Sequence, residues 1–440
     1  MWYDESGKTH QRSLLKMKVT FSPQVLAGTV PAPASKSEAH RRMICAGLTC
    51  HETILTHYDD SQDMKATRRC LRALGATLQR EDAQLTVQGI EKPTHFPVLD
   101  CGESGSTLRF FVPLALALSG GGLFRMHGRL GARPMDVYRD LFVPQGVKWR
   151  MGVGPDGAAE LHVRGELQPG DYAFPGNVSS QFVSGLMFAL PLLEEESTLT
   201  VLPPVSSVGY ICMTVEALRM SGIEIEEIAP FSWRIPGNQQ YQAQNAALSG
   251  DYSQAAVLLS AGALGGNVTV TGLQEETTQG DRAILTMLEQ LGADVTRQGD
   301  TVSVSGGNLH GADFSMDHCP DIVPMLALVC QLAKGESRLK DCGRLRLKEC
   351  DRLAATAEIL NSLGGNARVD GDDLVIRGVE RLQGGVTLKA YHDHRMVMLA
   401  SIAATVAQQP VTVSDAEALN KSWPEYLAAF AALGGKAVEG

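Results

Sequence analysis

The chain has 440 residues and a formal net charge of −10 at pH 7, and 44% of its residues are hydrophobic, 20% charged and 6% aromatic. This length predicts two domains or more, and the composition excludes disorder, collagen and coiled coil as descriptions of the whole chain. The acidic balance disfavours a general nucleic-acid surface, although a cleft can still gather positive potential for an anionic ligand.

Neither a membrane span nor a secretory leader is predicted. The longest nearly unbroken apolar run, Met396 to Ala407, is shorter than the roughly 18–20 residues that a spanning helix needs. Residues 1–16 are polar and of mixed charge, without the apolar core of a signal peptide, and we interpret them as an extension. The nine cysteines include no Cys-x-x-Cys pair, which disfavours zinc ribbons and a disulfide framework and predicts a cytoplasmic protein.

One pattern recurs six times: an apolar helix end, a glycine, and a short hairpin that usually closes at a second glycine. Glycines that can take the left-handed conformation typically end helices. A hairpin is clearest where the alternating segments Ala293–Arg297 and Thr301–Ser305 flank a Gln-Gly-Asp turn. The anchor glycines, spaced about 72 residues apart, are Gly75, Gly146, Gly222, Gly292, Gly364 and Gly434.

A unit of two helices and about four strands cannot bury its own apolar face, so the units must pack together. Six units favour two lobes of three, whereas a larger number of repeats would favour an open solenoid. The sixth unit is truncated after Gly434, and Lys18–Phe21 is an orphan strand that we expect to complete it. This predicts a C-terminal lobe of residues 1–34 and 250–440, and an N-terminal lobe of residues 35–249.

The chain then crosses between the lobes twice, near Pro33–Ser35 and near Leu248–Asp251. Two crossing strands make a hinge, and we expect the functional site in the cleft beside it. At the first crossing, Lys36, Ser37 and Arg41 lie at the start of a predicted helix over Glu38–Leu48. Cations and a hydroxyl at a helix N-terminus favour an anion site; the alternative is an ordinary cap with solvated charges.

Three further segments of the first half begin predicted helices. A small-residue loop, Cys101–Arg109, could cradle phosphate through its backbone N–H groups but lacks the Walker A spacing. The others are Arg133-Pro134 before Asp136–Phe142, and Ser179-Ser180-Gln181 before the apolar run Phe182–Leu193. Ser207 and Tyr210 open a fourth helix in the same way. Each is a helix cap by default, but equivalent positions in the repeats predict one shared face.

The second half contributes charged residues. Asp321 heads an apolar helix, and a dense run from Arg344 to Arg352 places Lys348 and Arg352 four residues apart, which predicts one shared helix face. Arg395 and Lys421 also lie at predicted helix starts. His392-Asp393-His394 could suggest a metal, but adjacent residues do not face one site and no further ligand pattern supports it. Cations gathered at helix starts predict small, multiply anionic substrates, with no metal and no cofactor.

These segments, in order, resemble the motif series of the 3-phosphoshikimate 1-carboxyvinyltransferase (5-enolpyruvylshikimate-3-phosphate synthase) family of enolpyruvyl transferases over roughly residues 18–435. The motifs are Pro33-Ala-Ser-Lys36-Ser37, Glu103-Ser-Gly105-Ser-Thr-Leu-Arg109, Arg133-Pro134, Ser179-Ser180-Gln181, Pro320-Asp321, Lys348-Glu349-x-Asp-Arg352, Asp393-His-Arg395-Met and Lys421-Ser422-x-Pro424. The resemblance implies an α/β (α+β) fold of two lobes, each of three βαβαββ repeats, as in an inside-out α/β barrel.

The resemblance also implies an activity: transfer of the enolpyruvyl group of phosphoenolpyruvate to the 5-hydroxyl of shikimate 3-phosphate, with release of phosphate, on the route to chorismate and aromatic amino acids. It implies a cytoplasmic enzyme, and we expect a monomer without nucleic-acid or membrane partners. The implied catalytic residues are Asp321 as base, Glu349 as acid, and Lys36. Cations beside Glu349 are expected to lower its pKa in the free enzyme.

The implied contacts divide between the two substrates. Those to shikimate 3-phosphate are Lys36, Ser37, Arg41, Ser179, Ser180, Gln181, Ser207, Tyr210, Asp321, Arg344 and Lys348. Those to phosphoenolpyruvate are Lys36, Gly105, Arg133, Gln181, Arg352, Arg395 and Lys421. The resemblance also implies that the inhibitor glyphosate competes with phosphoenolpyruvate at this site.

Two positions depart from the family pattern, and one alternative stays open. Glu103 stands where the family usually has Asn, and Arg344 stands where Asn is frequent. The alternative is the sister enzyme that enolpyruvylates UDP-N-acetylglucosamine. That enzyme typically has Asn after its first Lys and a Cys in the Arg-containing loop, whereas here Ser37 follows Lys36 and Gly121–Pro134 contains no Cys. A catalytically inactive scaffold would require the loss of Lys36, Asp321 or Glu349.

Overall fold

The computed structural model describes residues 17–440, so the predicted extension over residues 1–16 lies outside the described residues. Up to the second crossing, the strands and helices are, in chain order, β1 (Val19–Phe21), β2 (Ala27–Pro31), α1 (Lys36–Leu48), β3 (Glu52–Thr56), α2 (Gln62–Leu74), β4 (Thr77–Glu81), β5 (Gln84–Gln88), β6 (Val98–Asp100), α3 (Gly105–Ser119), β7 (Gly121–Met126), α4 (Asp136–Phe142), β8 (Lys148–Val153), β9 (Ala159–Arg164), β10 (Asp171–Pro175), α5 (Ser180–Ala189), β11 (Ser197–Leu202), α6 (Val208–Met220), β12 (Glu226–Ala229), β13 (Ser232–Ile235) and β14 (Ala246–Ala247).

The remaining elements follow the same alternation. They are α7 (Tyr252–Ala263), β15 (Asn267–Thr271), α8 (Ile284–Gln290), β16 (Asp294–Gln298), β17 (Thr301–Ser305), β18 (Asp313–Ser315), α9 (Val323–Leu332), β19 (Glu336–Lys340), α10 (Arg352–Ser362), β20 (Ala367–Asp370), β21 (Asp373–Arg377), β22 (Thr387–Lys389), α11 (His394–Thr405), β23 (Val411–Ser414), α12 (Tyr426–Ala432) and β24 (Ala437–Glu439). Within residues 17–440, no helix combines the length and the apolarity that crossing a membrane requires.

The strands form six four-stranded sheets, each built in the same way. In the sheet ordered β6-β7-β9-β8, β6 and β7 are parallel and joined through α3, and β8 and β9 form an antiparallel hairpin after α4. The chain order in this unit is therefore βαβαββ. The predicted α/β class is confirmed, and the sheets are mixed because the helix-linked pair is parallel and the hairpin is antiparallel.

The anchor glycines fix where each unit turns from helix to hairpin. All six have positive φ, between 74° and 119°, as the repeat pattern predicts. At Gly75 the N–H closes α2 onto the carbonyls of Leu71 and Arg72, and an added Cβ would lie 2.8 Å from the carbonyl oxygen of Lys92. A side chain at this position would meet both backbone strain and a clash. In the following hairpins the alternation holds: Val302 and Val304 of β17 are buried between partly exposed neighbours.

Strands from distant parts of the chain complete three of the six sheets. Strand β1 lies between β23 and β24, antiparallel to both, and so completes the sixth unit. Strand β2 pairs in parallel with β15, and β14 pairs in parallel with β3. Thus each crossing segment begins with a strand that belongs to the lobe it is leaving.

The two crossings run side by side. The N–H of Ser35 donates to the carbonyl of Ser249 over 2.7 Å, and the N–H of Asp251 donates to the carbonyl of Pro33 over 2.9 Å. On either side the buried apolar residues form two separate clusters, one within residues 34–248 and one within residues 19–32 and 252–433. From these separate cores we propose the lobe boundaries given above, residues 35–249 against residues 1–34 and 250–440.

Candidate active site

A polar cavity of about 120 Å³ lies between the two cores, beside the crossings. Typical ligand pockets hold roughly 300–1,000 Å³, so this cavity is smaller than a typical ligand pocket. The predicted site residues that line it are Lys36, Ser37, Arg41, Gly105, Arg133, Ser179, Ser180, Gln181, Ser207, Tyr210, Asp321, Arg344, Lys348, Glu349, Arg352 and Arg395. The structure thus gathers residues more than 350 positions apart. Lys421 is not in this lining, but its Nζ lies 3.6 Å from Glu349 Oε1.

The start of α1 forms one wall. Ser35 caps the helix by accepting from the N–H of Glu38, and the N–H of Lys36 donates to Asp251 Oδ2 over 3.0 Å. The Lys36 ammonium is paired with Asp63 Oδ2 at 2.9 Å. Burial, the largest single influence, would raise the pKa of Asp63, but Lys36, Lys421 and His40 together lower it. The ion pair with Asp63 therefore positions the Lys36 ammonium at the cavity wall.

Arg41 is buried and its donors are largely committed within the protein. Its Nε donates to Thr214 Oγ1 at 2.8 Å, and its two Nη atoms donate to the carbonyl of Ser37 at 2.7 Å and that of Tyr210 at 2.9 Å. A further contact reaches Ser184 Oγ at 3.3 Å. An arginine has five N–H donors, so one remains for a ligand, and Arg41 also ties α1 to α6.

The loop before α3 lies close to arginine side chains of its own lobe. Ser104 caps α3 by accepting from the N–H of Thr107, which leaves Gly105 facing the cavity. An added Cβ at Gly105 would lie 2.8 Å from Arg133 Nη1 and 3.2 Å from Arg109 Nη1. Gln181 is fixed at both ends of its amide, accepting from Arg109 over 2.6 Å and donating to Ser106 Oγ over 2.9 Å. The loop therefore has room for a small ligand only because residue 105 lacks a side chain.

The second-lobe wall corrects one prediction. Lys348 and Arg352 do not share a helix face, because Lys348 is extended after a 3₁₀ turn, Gly343–Leu347, and α10 begins at Arg352 with Asp351 as its cap. Both cations nonetheless meet at Asp321 Oδ1, at 3.0 and 2.8 Å. Lys421 likewise ends a 3₁₀ turn, Ala416–Lys421, and does not start α12.

Asp321 is held as a carboxylate. Burial by itself would raise its pKa, but Lys348, Arg352 and Arg395 together hold the pKa well below its usual range. Its second oxygen, Oδ2, lies 3.5 Å from the Tyr210 hydroxyl. Because Oδ1 takes both cations, Oδ2 is the oxygen left to accept a proton from a ligand hydroxyl.

Glu349 is surrounded by cations from both lobes. Arg352 Nη2 lies 2.6 Å from its Oε2, and Arg133 Nη2 lies 3.1 Å from its Oε1, on which Lys421 also converges. Burial would raise the pKa of Glu349, but these cations, Arg352 foremost, hold it well below its usual range. The predicted lowering of the Glu349 pKa is confirmed.

The His392-Asp393-His394 segment has structural and electrostatic roles at the cavity. Asp393 caps α11 and accepts from Arg352 Nε at 2.7 Å in full burial. His394 lines the cavity, and burial followed by the charge of Arg395 holds its pKa well below the usual value. His394 is therefore a neutral imidazole at pH 7. Among residues 17–440 one group, His392 with Asp415 and Glu417, offers three ligand atoms within 4.8 Å of one another, and none of the three lines the cavity.

Comparison with known proteins gives the family. The model of the family described as EPSP synthase (3-phosphoshikimate 1-carboxyvinyltransferase) matches residues 21–430. The chain belongs to this family. The 3-phosphoshikimate 1-carboxyvinyltransferase of Clostridium perfringens is 39% identical over 421 residues, which cover 95% of this chain and 98% of the relative. That of Clostridioides difficile is 37% identical over 425 residues, which cover 94% and 97%.

Solved structures agree on the fold of the EPSP synthase family. A structure of the EPSP synthase from Acinetobacter baumannii aligns with a TM-score of 0.78 at 22% identity, covering 96% of this chain and 100% of that chain. The enolpyruvyl transferase NikO from Streptomyces tendae aligns with a TM-score of 0.76 at 18% identity, covering 96% and 98%. At these identities the likeness concerns the fold alone.

Several polar cavity residues of this EPSP synthase family member were not predicted as site residues, among them Asp63, Arg109, Asp251, Ser253 and Gln254. Arg109 stands inside the quoted Gly105 motif, four residues into the helix, and helical spacing places it on the same face as Gly105. Asp63 follows the cap of α2, and its sequence context is that of any acidic residue in a first helical turn. Only the packing of α2 against α1 brings it to Lys36.

Proposed function

We propose that this chain transfers the enolpyruvyl group of phosphoenolpyruvate to the 5-hydroxyl of shikimate 3-phosphate, giving 5-enolpyruvylshikimate 3-phosphate and phosphate. The observation that supports this beyond family membership is Glu349 among three cations drawn from both lobes, with Asp321 bound to the other Nη atom of one of them, Arg352. A doubly anionic small molecule fits such a cation set. A carboxylate pair with different surroundings suits one acid and one base.

The proposed chemistry is addition followed by elimination. The 5-hydroxyl oxygen bonds to C2 of phosphoenolpyruvate as Asp321 Oδ2 takes the hydroxyl proton and Glu349 gives a proton to C3. Glu349 then takes one C3 proton back, and phosphate leaves C2 with the proton held by Asp321, which restores the double bond and both carboxylates. Lys36, Arg133 and Lys421 stabilise the phosphate as its charge grows, and Arg352 and Arg395 hold the carboxylate.

The first-lobe hydroxyls and cations hold shikimate 3-phosphate in this proposal. Ser179, Ser180 and Ser207 lie at helix starts beside Lys36 and Ser37, where N–H groups and hydroxyls favour a phosphate. Arg344 Nη1, at 3.0 Å from Ser207 Oγ, adds a second-lobe cation to the same wall. Closure would therefore bring both lobes onto one substrate. We further propose a cytoplasmic monomer in aromatic amino acid biosynthesis.

A coupled phosphate-release assay with purified protein, shikimate 3-phosphate and phosphoenolpyruvate tests the activity. Phosphate release that needs both compounds, and that UDP-N-acetylglucosamine cannot support as acceptor, is the expected result. Asp321→Asn should lower kcat about 10²–10⁴-fold, whereas Glu196→Gln, an exposed carboxylate before β11, is the matched control. The proposal would be overturned if neither acceptor supported phosphate release, or if UDP-N-acetylglucosamine supported it and shikimate 3-phosphate did not.

A further inference from the structure

Glu103 and Lys421 form an ion pair between the two lobes at the edge of the cavity. Lys421 Nζ donates to the Glu103 backbone carbonyl at 3.3 Å and lies 3.4 Å from its Oε2. Glu103 belongs to the loop before α3 and Lys421 to the 3₁₀ turn before α12, 318 residues away. The pair therefore joins the glycine-rich loop of one lobe to a cation of the other.

The fold provides a place for the Glu103 carboxylate. Gly128 takes a φ of +54°, and a Cβ there would lie 2.7 Å from Glu103 Cδ. The Glu103 carboxylate thus packs against the backbone of Gly128, and a side chain at residue 128 would displace it. The hydrogen bond from Lys421 Nζ to the Glu103 carbonyl and the packing on Gly128 together hold the Glu103 side chain beside Lys421.

Glu103 differs from the other carboxylates that pair with cavity cations. The side chains of those other carboxylates are at most 27% exposed, whereas that of Glu103 is 44% exposed and that of Lys421 only 5%. A buried carboxylate stripped of its cation has nowhere to gain solvation. Glu103 can turn to water when an anion reaches Lys421, so the competition between them is mild and adjustable.

We propose that Glu103 weakens the binding of phosphoenolpyruvate by competing for Lys421. This rests on the proposed function, in which Lys421 contacts the substrate anion. The negative charge of Glu103 both occupies a donor of Lys421 and repels the arriving anion. An amide of the same shape would keep the packing on Gly128 and remove both effects.

Glu103→Gln is the test. The KM for phosphoenolpyruvate should fall about 3–10-fold, the size expected for one half-exposed charge near the ligand. Both kcat and the KM for shikimate 3-phosphate should stay within about twofold of wild type. The difference in KM should shrink between 50 and 500 mM salt, because salt screens an exposed charge. Glu166→Gln, another exposed glutamate of the same lobe, should leave all these constants unchanged.

An unchanged KM for phosphoenolpyruvate in Glu103→Gln would overturn the proposal. A fall in kcat that accompanies the fall in KM would do the same, and so would a difference in KM that is independent of salt concentration. Failure of the proposed function is distinguishable, because wild type itself would then release no phosphate. Binding of inorganic phosphate, measured by calorimetry, gives a readout that needs no turnover: Glu103→Gln should bind it more tightly than wild type, and equal affinity would overturn the inference. Coincident thermal unfolding of the two proteins establishes that the variant is folded.

Discussion

Protonation of Glu349 should be coupled to substrate binding. A carboxyl whose pKa lies well below 4.5 is protonated in at most about one molecule in 300 at pH 7. To act as an acid on C3 it must be protonated when both substrates are bound. Raising its pKa from below 4.5 to 7 removes cation stabilisation of about 3 kcal/mol or more. Arg352, Arg133 and Lys421 can supply that change if the phosphate and carboxylate of phosphoenolpyruvate take over their donors.

Glu349→Gln removes both the proton and the charge. We expect kcat to fall about 10²–10⁴-fold while shikimate 3-phosphate still binds with near-normal affinity. Wild type should take up close to one proton when an unreactive phosphoenolpyruvate analogue binds to the complex with shikimate 3-phosphate, and the variant should take up much less. Calorimetry in buffers of different ionisation enthalpy measures this uptake at pH 7.

Solvent deuterium gives an independent measurement. Its exchange into the methylene group of phosphoenolpyruvate should be lost in Glu349→Gln and kept in the control Glu196→Gln. If Glu349→Gln retained kcat within about threefold of wild type, the acid role would be wrong and Lys36 would become the leading proton donor. If wild type and variant took up the same number of protons, the coupling argument would fail even with kcat reduced.

Three further predictions follow from the same geometry. Gly105→Ala should weaken inhibition by glyphosate and raise the KM for phosphoenolpyruvate, since its methyl group would lie 2.8 Å from Arg133 Nη1; unchanged inhibition would contradict the pocket assignment. Small-angle scattering should show a smaller radius of gyration with shikimate 3-phosphate and an unreactive phosphoenolpyruvate analogue than without them, because their anions draw the cations of both lobes together; an unchanged radius would refute closure. Burial lowers the pKa of His40 to about 3, so the unfolded state binds the extra proton and the stabilising contribution of this site, present above about pH 6.5, is lost as pH falls below it. Between pH 6 and 4, the unfolding free energy of wild type should therefore fall relative to that of His40→Gln by about 1.4 kcal/mol per pH unit. If urea unfolding gave the same difference between the two proteins at every pH in that range, the argument would be contradicted.

The repeat was predictable because its marker has one physical cause. A helix that must turn into a hairpin needs a left-handed residue, and glycine takes that conformation at the least cost. Gly75 and Gly434 therefore mark the first and last units even though the segments around them differ. The hairpin of β16 and β17 was equally readable, because strict alternation over five residues has few other interpretations.

Unlike β1, the strands β2 and β14, which also pair with distant parts of the chain, were not predictable from the sequence. Strand β14 has two residues, Ala246 and Ala247, which is too short for any periodicity. Strand β2 is exposed at four of its five residues and contains Gly28 and Pro31, which gives it no strand pattern. Their pairing is decided by sheet edges that other parts of the chain supply.

Local spacing also misled at the second-lobe wall. Lys348 and Arg352 have helical spacing. However, the Asp351 side chain accepts from the N–H of Ala354 and caps the helix that begins at Arg352, so Lys348 lies outside it. The two cations still converge on Asp321 because the 3₁₀ turn before Lys348 returns the chain toward the head of α9. The shared helix face was therefore wrong, although both cations line the cavity.

The charges of the site favour a tighter connection between binding and chemistry than the motifs suggest. Arg133 of one lobe and Lys421 of the other both lie on Glu349, so the proposed acid is itself an ion-pair partner across the cleft. An anion that separates these pairs removes a contact between the lobes and, at the same time, the cause of the low pKa of Glu349. The anion then holds the same cations from both lobes and replaces the contact it broke. A molecule with too few negative charges would do neither, so the proton needed at C3 should be available only when the substrate that consumes it is in place.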